Sequence, residues 1–180
     1  GAPASRPDVD LAAASLEELA ALLASDNAGG RDSAPRILVE DLDGEAGALA
    51  TLRGLIVDGA SQLGAVHALW TLDGVGFIDD ATLRAGLTAS DARVRAAAAE
   101  IAERRLDLEG SELLGDVAQV ALEDADARAR LHGLLALGAS DQEEVLELFA
   151  LRMSADASSS LERSAVVSGL QFREADLLLN

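Results

Sequence analysis

Asp91-Ala92-Arg93-Val94-Arg95 and Asp126-Ala127-Arg128-Ala129-Arg130 repeat one pattern 35 residues apart, and each opens an apolar run with helical periodicity. Aligning the rest of the chain on these two segments gives five starts, at Asn27, Ser61, Asp91, Asp126 and Ser159. Their spacings are 34, 30, 35 and 33 residues. All five are short polar side chains of the kind that cap a helix N-terminus, accepting a bond from a free backbone N–H at a typical gain of ~1 kcal/mol. Seven residues after each start stands a small or β-branched residue: Ala34, Ala68, Ala98, Gly133 and Val166. Eleven after it stand Leu38, Leu72, Ala102, Leu137 and Leu170. A step of four keeps both sets on one helix face, and small side chains on that face let a neighbouring helix approach closely. The spacing therefore predicts helices over about 30–41, 62–73, 92–106, 127–138 and 160–171.

A second helix precedes each of these. Ser15-Leu16-Glu17-Glu18 has the spacing of a capping box, in which Ser and Glu satisfy each other's backbone N–H; Ser140-Asp141-Gln142-Glu143 reads the same way. Ser111 and either Asp79 or Asp80 are further candidate caps. The leading helices are then expected at 16–24, 46–57, 81–87, 112–122 and 141–153, with apolar residues at steps of three and four, as in Leu49, Leu52 and Ile56. Pro35 cannot donate a hydrogen bond and crowds the preceding turn, so the first repeat's second helix should start near Ala34 or kink there. No stretch alternates apolar and polar residues as a half-buried strand does.

A period near 33 with two helices per unit is shared by several repeat families. The ankyrin Thr-Pro-Leu-His signature is missing, and so is the tetratricopeptide pattern of Trp, Gly, Tyr and Pro. Asp and Arg opening the second helix resemble HEAT-type repeats. The expected fold is an all-α solenoid of five antiparallel helix pairs, an armadillo-type superhelix. Residues 1–14 read as a linker, and repeats are expected at about 15–44, 45–77, 78–110, 111–139 and 140–173. Residues 174–180 read as the opening of a further helix. Because a solenoid normally ends on a polar cap, Leu177-Leu178-Leu179 suggests a piece of a longer protein.

Composition supports a helical core and excludes several functions. Half the residues are apolar, yet aromatics are only 2%, which suits close helix contact better than a sheet. At 180 residues the chain can bury roughly 70% of its unfolded surface. There are 32 acidic and 14 basic residues, a net charge of −18, and every basic residue is Arg. Such a surface repels nucleic-acid phosphates and anionic lipid. The absence of Cys excludes disulfides, thiol catalysis and covalent haem attachment within this chain. No apolar run reaches the length of a membrane span.

Two segments carry a family likeness: Ala65-Val66-His67-Ala68-Leu69-Trp70-Thr71-Leu72-Asp73-Gly74 with Asp79-Asp80-Ala81-Thr82-Leu83, and Ser25-Asp26-Asn27 with Arg31-Asp32 and Arg36-Ile37-Leu38. Together they resemble the helical-repeat region of planctomycete-type membrane-bound dehydrogenase and cytochrome c multidomain proteins. The likeness implies a β-propeller before this segment, a cytochrome c domain after it, and a periplasmic or other extracytoplasmic setting. It implies no catalytic residue here, because that family's haem and propeller sites lie outside the repeats.

No residue is assigned a catalytic, cofactor-binding or metal-binding role. His67 and His132 occupy equivalent positions, six residues after their starts. A shared zinc would need both nitrogens at about 2.1 Å plus further ligands, so we read them as packing in a ridge and bonding a neighbouring loop, with contact to a partner as the alternative. Trp70 shares a helix face with His67 and is either a partner anchor or a large core filler. Arg95 and Arg130 are expected to reach an acidic residue of the neighbouring repeat, with a partner-facing charged strip as the alternative. Asp73-Gly74-Val75-Gly76 follows a helix rather than a strand, so it does not read as a phosphate-binding loop. The function expected is a non-catalytic scaffold or interaction module, contacting a protein partner or neighbouring domains of the same chain. The alternatives are an accessory segment of a dehydrogenase–cytochrome c oxidoreductase and a stand-alone regulatory HEAT-like protein.

Overall fold

The computed structural model describes residues 11, 13–25, 28–42, 44–108, 110–154 and 159–170. Among them there are ten helices and no strand. They are α1 (Leu16–Leu22), α2 (Ala28–Asp41), α3 (Ala46–Asp58), α4 (Gln62–Gly74), α5 (Asp80–Leu87), α6 (Ala92–Ala102), α7 (Leu114–Glu123), α8 (Ala127–Gly138), α9 (Glu144–Ser154) and α10 (Ser160–Leu170). The all-α expectation holds. The chain divides into two compact units, residues 1–82 and 83–180. Asn27, most of the expected linker and the segment 174–180 lie outside the described residues.

In the first unit α1 packs on α2 and α3, and α4 on α2 and α3. In the second, α8 packs on α6, α7 and α10, while α9 contacts α7 and α10. Helices two apart in sequence thus meet repeatedly, as α1 with α3, α2 with α4, α6 with α8, α7 with α9 and α8 with α10. Every residue named above for the small face and for the position four further on is buried. The fully buried large side chains are almost all aliphatic, among them Leu19, Leu38, Leu52 and Leu72 in the first unit and Ile101 and Leu134 in the second. Burying each is worth ~1.5–3 kcal/mol.

The narrow face reaches its limit at glycine. A Cβ added to Gly133 would lie 2.8 Å from the Ala121 Cα, so α7 and α8 touch through backbone at that point. A Cβ on Gly169 would lie 2.5 Å from the Gly138 Cα, which puts α8 and α10 in the same kind of contact, with the Phe149 ring against both.

Most expected caps form. Ser15 and Glu18 make a full capping box. Ser61 accepts from Gly64 N–H, Asp91 from Arg93 N–H, and Asp126 from Arg128 and Ala129 N–H. Of the two Asp candidates, Asp79 is the cap of α5, accepting from Thr82 N–H at 2.8 Å. Ser159 and Glu162 form a second box: Glu162 N–H donates to Ser159 Oγ and Ser159 N–H donates to Glu162 Oε2.

Four expectations need correction. Helix α2 begins at Ala28 and contains Pro35, so of the two expected outcomes a start near Ala34 is ruled out. Ser111 does not cap α7, which starts after Leu113 with no side-chain cap; Ser111 Oγ is buried without a hydrogen-bond partner among the described residues. Ser140-Asp141-Gln142-Glu143 is not a capping box. Ser140 Oγ donates to Asp107 Oδ1 at 2.6 Å and accepts from Gln142 N–H at 3.3 Å, Asp141 N–H points at the Asp107 carboxylate, and α9 starts only at Glu144. Helix α6 stops at Ala102, four residues short of its expected end, and the turn that follows leaves the Leu106 carbonyl to accept from Gln142 Nε2 at 2.7 Å.

Candidate functional site

Two arginines of the second unit are positioned by its helix starts. Asp91 and Asp126 cap their helices, which places the arginine four residues later one turn in. Arg95 Nη1 donates back to the carbonyls of Ala89 and Ser90, at 2.7 and 2.9 Å. Arg130 Nη1 donates to the carbonyls of Asp124 and Ala125, which stand at the same offsets, at 2.7 and 3.1 Å. Each arginine also reaches forward by about one repeat. Arg95 Nη2 donates to Asp124 Oδ1 at 2.8 Å, 29 residues on, and Arg130 Nε to Glu162 Oε1 at 2.7 Å, 32 residues on.

These pairs are not the exposed bridges that a charged surface suggests. The Asp124 side chain is 4% exposed and that of Glu162 is 2%. Glu162 also takes Arg152 Nη2 on its second oxygen at 2.7 Å. Burial by itself would push the Glu162 carboxyl upward. The bonds from Ser159 N–H, Arg130, Arg152 and the Ser159 hydroxyl more than offset it and bring it down to about 2. The Arg95 guanidinium holds the Asp124 carboxyl below the usual range against a smaller opposing effect of burial.

A related device links the leading helices. Arg84 on α5 donates from Nε to Asp116 Oδ2 on α7 at 2.8 Å and from Nη2 to the Glu112 carbonyl. In the first unit Arg53 on α3 donates to the Phe77 carbonyl at 3.1 Å and pairs with Asp79 at 3.2 Å.

Beside the Arg95–Asp124 pair lies a cleft of about 400 Å³. That is within the range of small-ligand sites. Its floor includes Leu87, Ala89 and Val120, and its polar lining includes Asp116, Gln119 and Glu123. The last three, with Val120, recur at steps of three and four along α7 and so form one stripe. Thr88 is also at the edge, with its hydroxyl donating to the Arg84 carbonyl at 2.9 Å. The described lining holds carboxylates, an amide, a hydroxyl and the paired Arg95 guanidinium, but no imidazole placed to activate a nucleophile. What it offers chemically is hydrogen-bond acceptance and negative charge over an apolar floor.

The remaining candidates fall elsewhere. His132 is largely buried, with Nδ1 3.4 Å from Glu100 Oε2. His67 is half-buried in the first unit, and its carbonyl accepts from Thr71 Oγ1 at 2.8 Å. Trp70 is 37% exposed, which corrects the reading of it as a core filler. The core positions beside it in sequence belong to Leu69 and Leu72. Leu63 and His67 share its face of α4, and Leu63 is also exposed. Asp73-Gly74-Val75-Gly76 is a helix stop. Phe77 N–H donates to the Leu72 carbonyl and Gly76 N–H to that of Asp73, with Gly76 at φ +74°. Among the described residues no group of three or more His, Asp or Glu could hold a metal ion, and no helix is long and apolar enough to cross a membrane.

Asp124, Glu162 and the cleft were missed from sequence. The Ser-x-x-Glu spacing of Ser159 and Glu162 is the same as that of Ser15 and Glu18 and could have flagged Glu162. Asp124 carries no such signal, because its position two residues before the Asp126 cap matches Ala89 in the preceding repeat. No family model, curated protein or solved structure matches this chain.

Proposed function

We propose that this chain is a HEAT-like helical-repeat scaffold, built from antiparallel helix pairs stacked as a solenoid, whose work is to hold or present a protein partner. The observation that carries this reading is the recurrence of one bonding pattern at one repeat length. Arg95 and Arg130, 35 residues apart, bond backward to equivalent carbonyls and forward to a carboxylate of the next helix pair. Ser140 Oγ reaches Asp107 across 33 residues and Arg84 reaches Asp116 across 32. Packing between helices two apart in sequence supports the same reading, since in a solenoid each unit contacts its neighbours. A scaffold of this kind needs no reaction centre, and the partly buried arginines serve to fix one unit against the next.

The test is native-state hydrogen exchange resolved by helix. A repeat array opens unit by unit, so protection should differ between helix pairs. Helix α2 contains Pro35 and two adjacent glycines, Gly29 and Gly30, and its amides should exchange first. Those of α6 and α8 should exchange last. One common opening free energy for all ten helices, or α2 among the slowest, would reject the repeat reading.

A further inference from the structure

We infer that the cleft beside Arg95 receives a Lys or Arg side chain from a partner protein, the aliphatic stem lying on Leu87 and Val120 and the charged head beside Glu123. This rests on the scaffold reading and names the partner chemistry of one of its faces. Three features set the sign of the ligand. Helix α5 ends at Leu87 and α7 at Glu123, so two helix C-termini converge on the cleft, each contributing partial negative charge from its last carbonyls. Arg84 and Arg95 are already paired with Asp116 and Asp124, which leaves the exposed Glu123 carboxylate as the uncompensated full charge at the rim among the described residues. Four Arg95 bonds run to Asp124 and to the carbonyls of Ala89 and Ser90, so most of the guanidinium is already engaged and is poorly placed to attract an anion.

The shape agrees with the charge. A cleft with an apolar floor and an acidic rim matches a side chain that has a hydrocarbon stem and a cationic head. Gln119, exposed on the α7 stripe between Asp116 and Glu123, supplies an amide oxygen for the same head. A net charge of −18 adds long-range attraction for a basic segment, while the local features decide where it docks.

The probe is an acetylated, amidated peptide of alternating Lys and Gly, eight residues long, titrated into the ¹⁵N-labelled chain at low salt. Amide shifts should concentrate at residues 87–89 and 116–125. Glu123→Lys should weaken binding roughly tenfold, whereas Glu147→Lys, the same charge change at an exposed site on α9, should leave the affinity nearly unchanged. Gln119→Glu should tighten it. Shifts spread over the acidic surface, or equal loss in both Lys variants, would overturn the site and leave the scaffold reading untouched. So would the absence of binding at millimolar peptide. The scaffold reading stands or falls separately on hydrogen exchange, which involves none of these side chains. A circular-dichroism melt of each variant guards against misfolding, and Gln119→Glu gives a gain of function that unfolding cannot mimic.

Discussion

Glu162 is the residue on which most local energy converges. It is almost fully buried and binds two guanidinium groups, Arg130 and Arg152, while closing the capping box of its own helix. Replacing it by Gln leaves two arginines sharing a neutral partner in a poorly solvated place, so Glu162→Gln should cost ~3–5 kcal/mol in urea unfolding. The pH dependence follows from the same geometry. The folded pKa, about 2, lies below the ordinary 4.5, so the stabilisation is fully present above 4.5 and is lost as pH falls toward 2. Its size is ~3 kcal/mol at neutral pH. Asp124 shifts in the same direction and adds to the effect. Acid titration of the unfolding free energy should show a smaller drop over this window in Glu162→Gln than in the parent. An equal drop in both would place the acid-sensitive group elsewhere.

At the scale of the element, the glycines decide how near the helices come. Gly133 faces the backbone of α7 with no room for a methyl group, and Gly133→Ala should destabilise the second unit by ~1–3 kcal/mol through forced displacement of α7 from α8. A melting curve reads this directly, and an unchanged midpoint would mean that the helix spacing yields easily. This packing face was legible in the sequence, because the step from Ala98 to Ala102, or Gly133 to Leu137, is a helical step and nothing else explains it. Helix ends were less legible. Ser111 and Ser140 look equally suited to capping, yet one hydroxyl is buried with no partner among the described residues and the other is drawn to Asp107, 33 residues away. Local pattern cannot say which distant acceptor will compete with a nearby N–H. Pro35 shows the converse. Its intrinsic penalty argued for a helix start, but Ala34 and Leu38 are both fully buried and their packing holds the helix through it.

At the scale of the whole molecule, charge is the dominant variable. With −18 net, the folded chain repels itself, and the repulsion is long-ranged at low ionic strength. Raising salt from 10 to 150 mM shortens the screening length from about 30 to about 8 Å. The melting temperature should therefore rise, by ~2–4 °C for each kcal/mol relieved. A fall instead would show that the ion pairs outweigh the repulsion. The sign of the surface was legible from composition. The site was not, because the cleft depends on two helix ends and a buried ion pair coming together, and Asp124 owes its role to a distant arginine rather than to its neighbours in sequence.

The shared carboxylate has a consequence for how the second unit comes apart. Glu162 sits on α10, Arg152 on α9 and Arg130 on α8. Peeling α10 away strands both guanidinium groups, whereas losing α8 or α9 leaves the carboxylate with one partner. Fraying of α10 alone therefore leaves two uncompensated guanidinium groups behind, so α10 should let go together with α8 and α9, like strands of a rope knotted at one point.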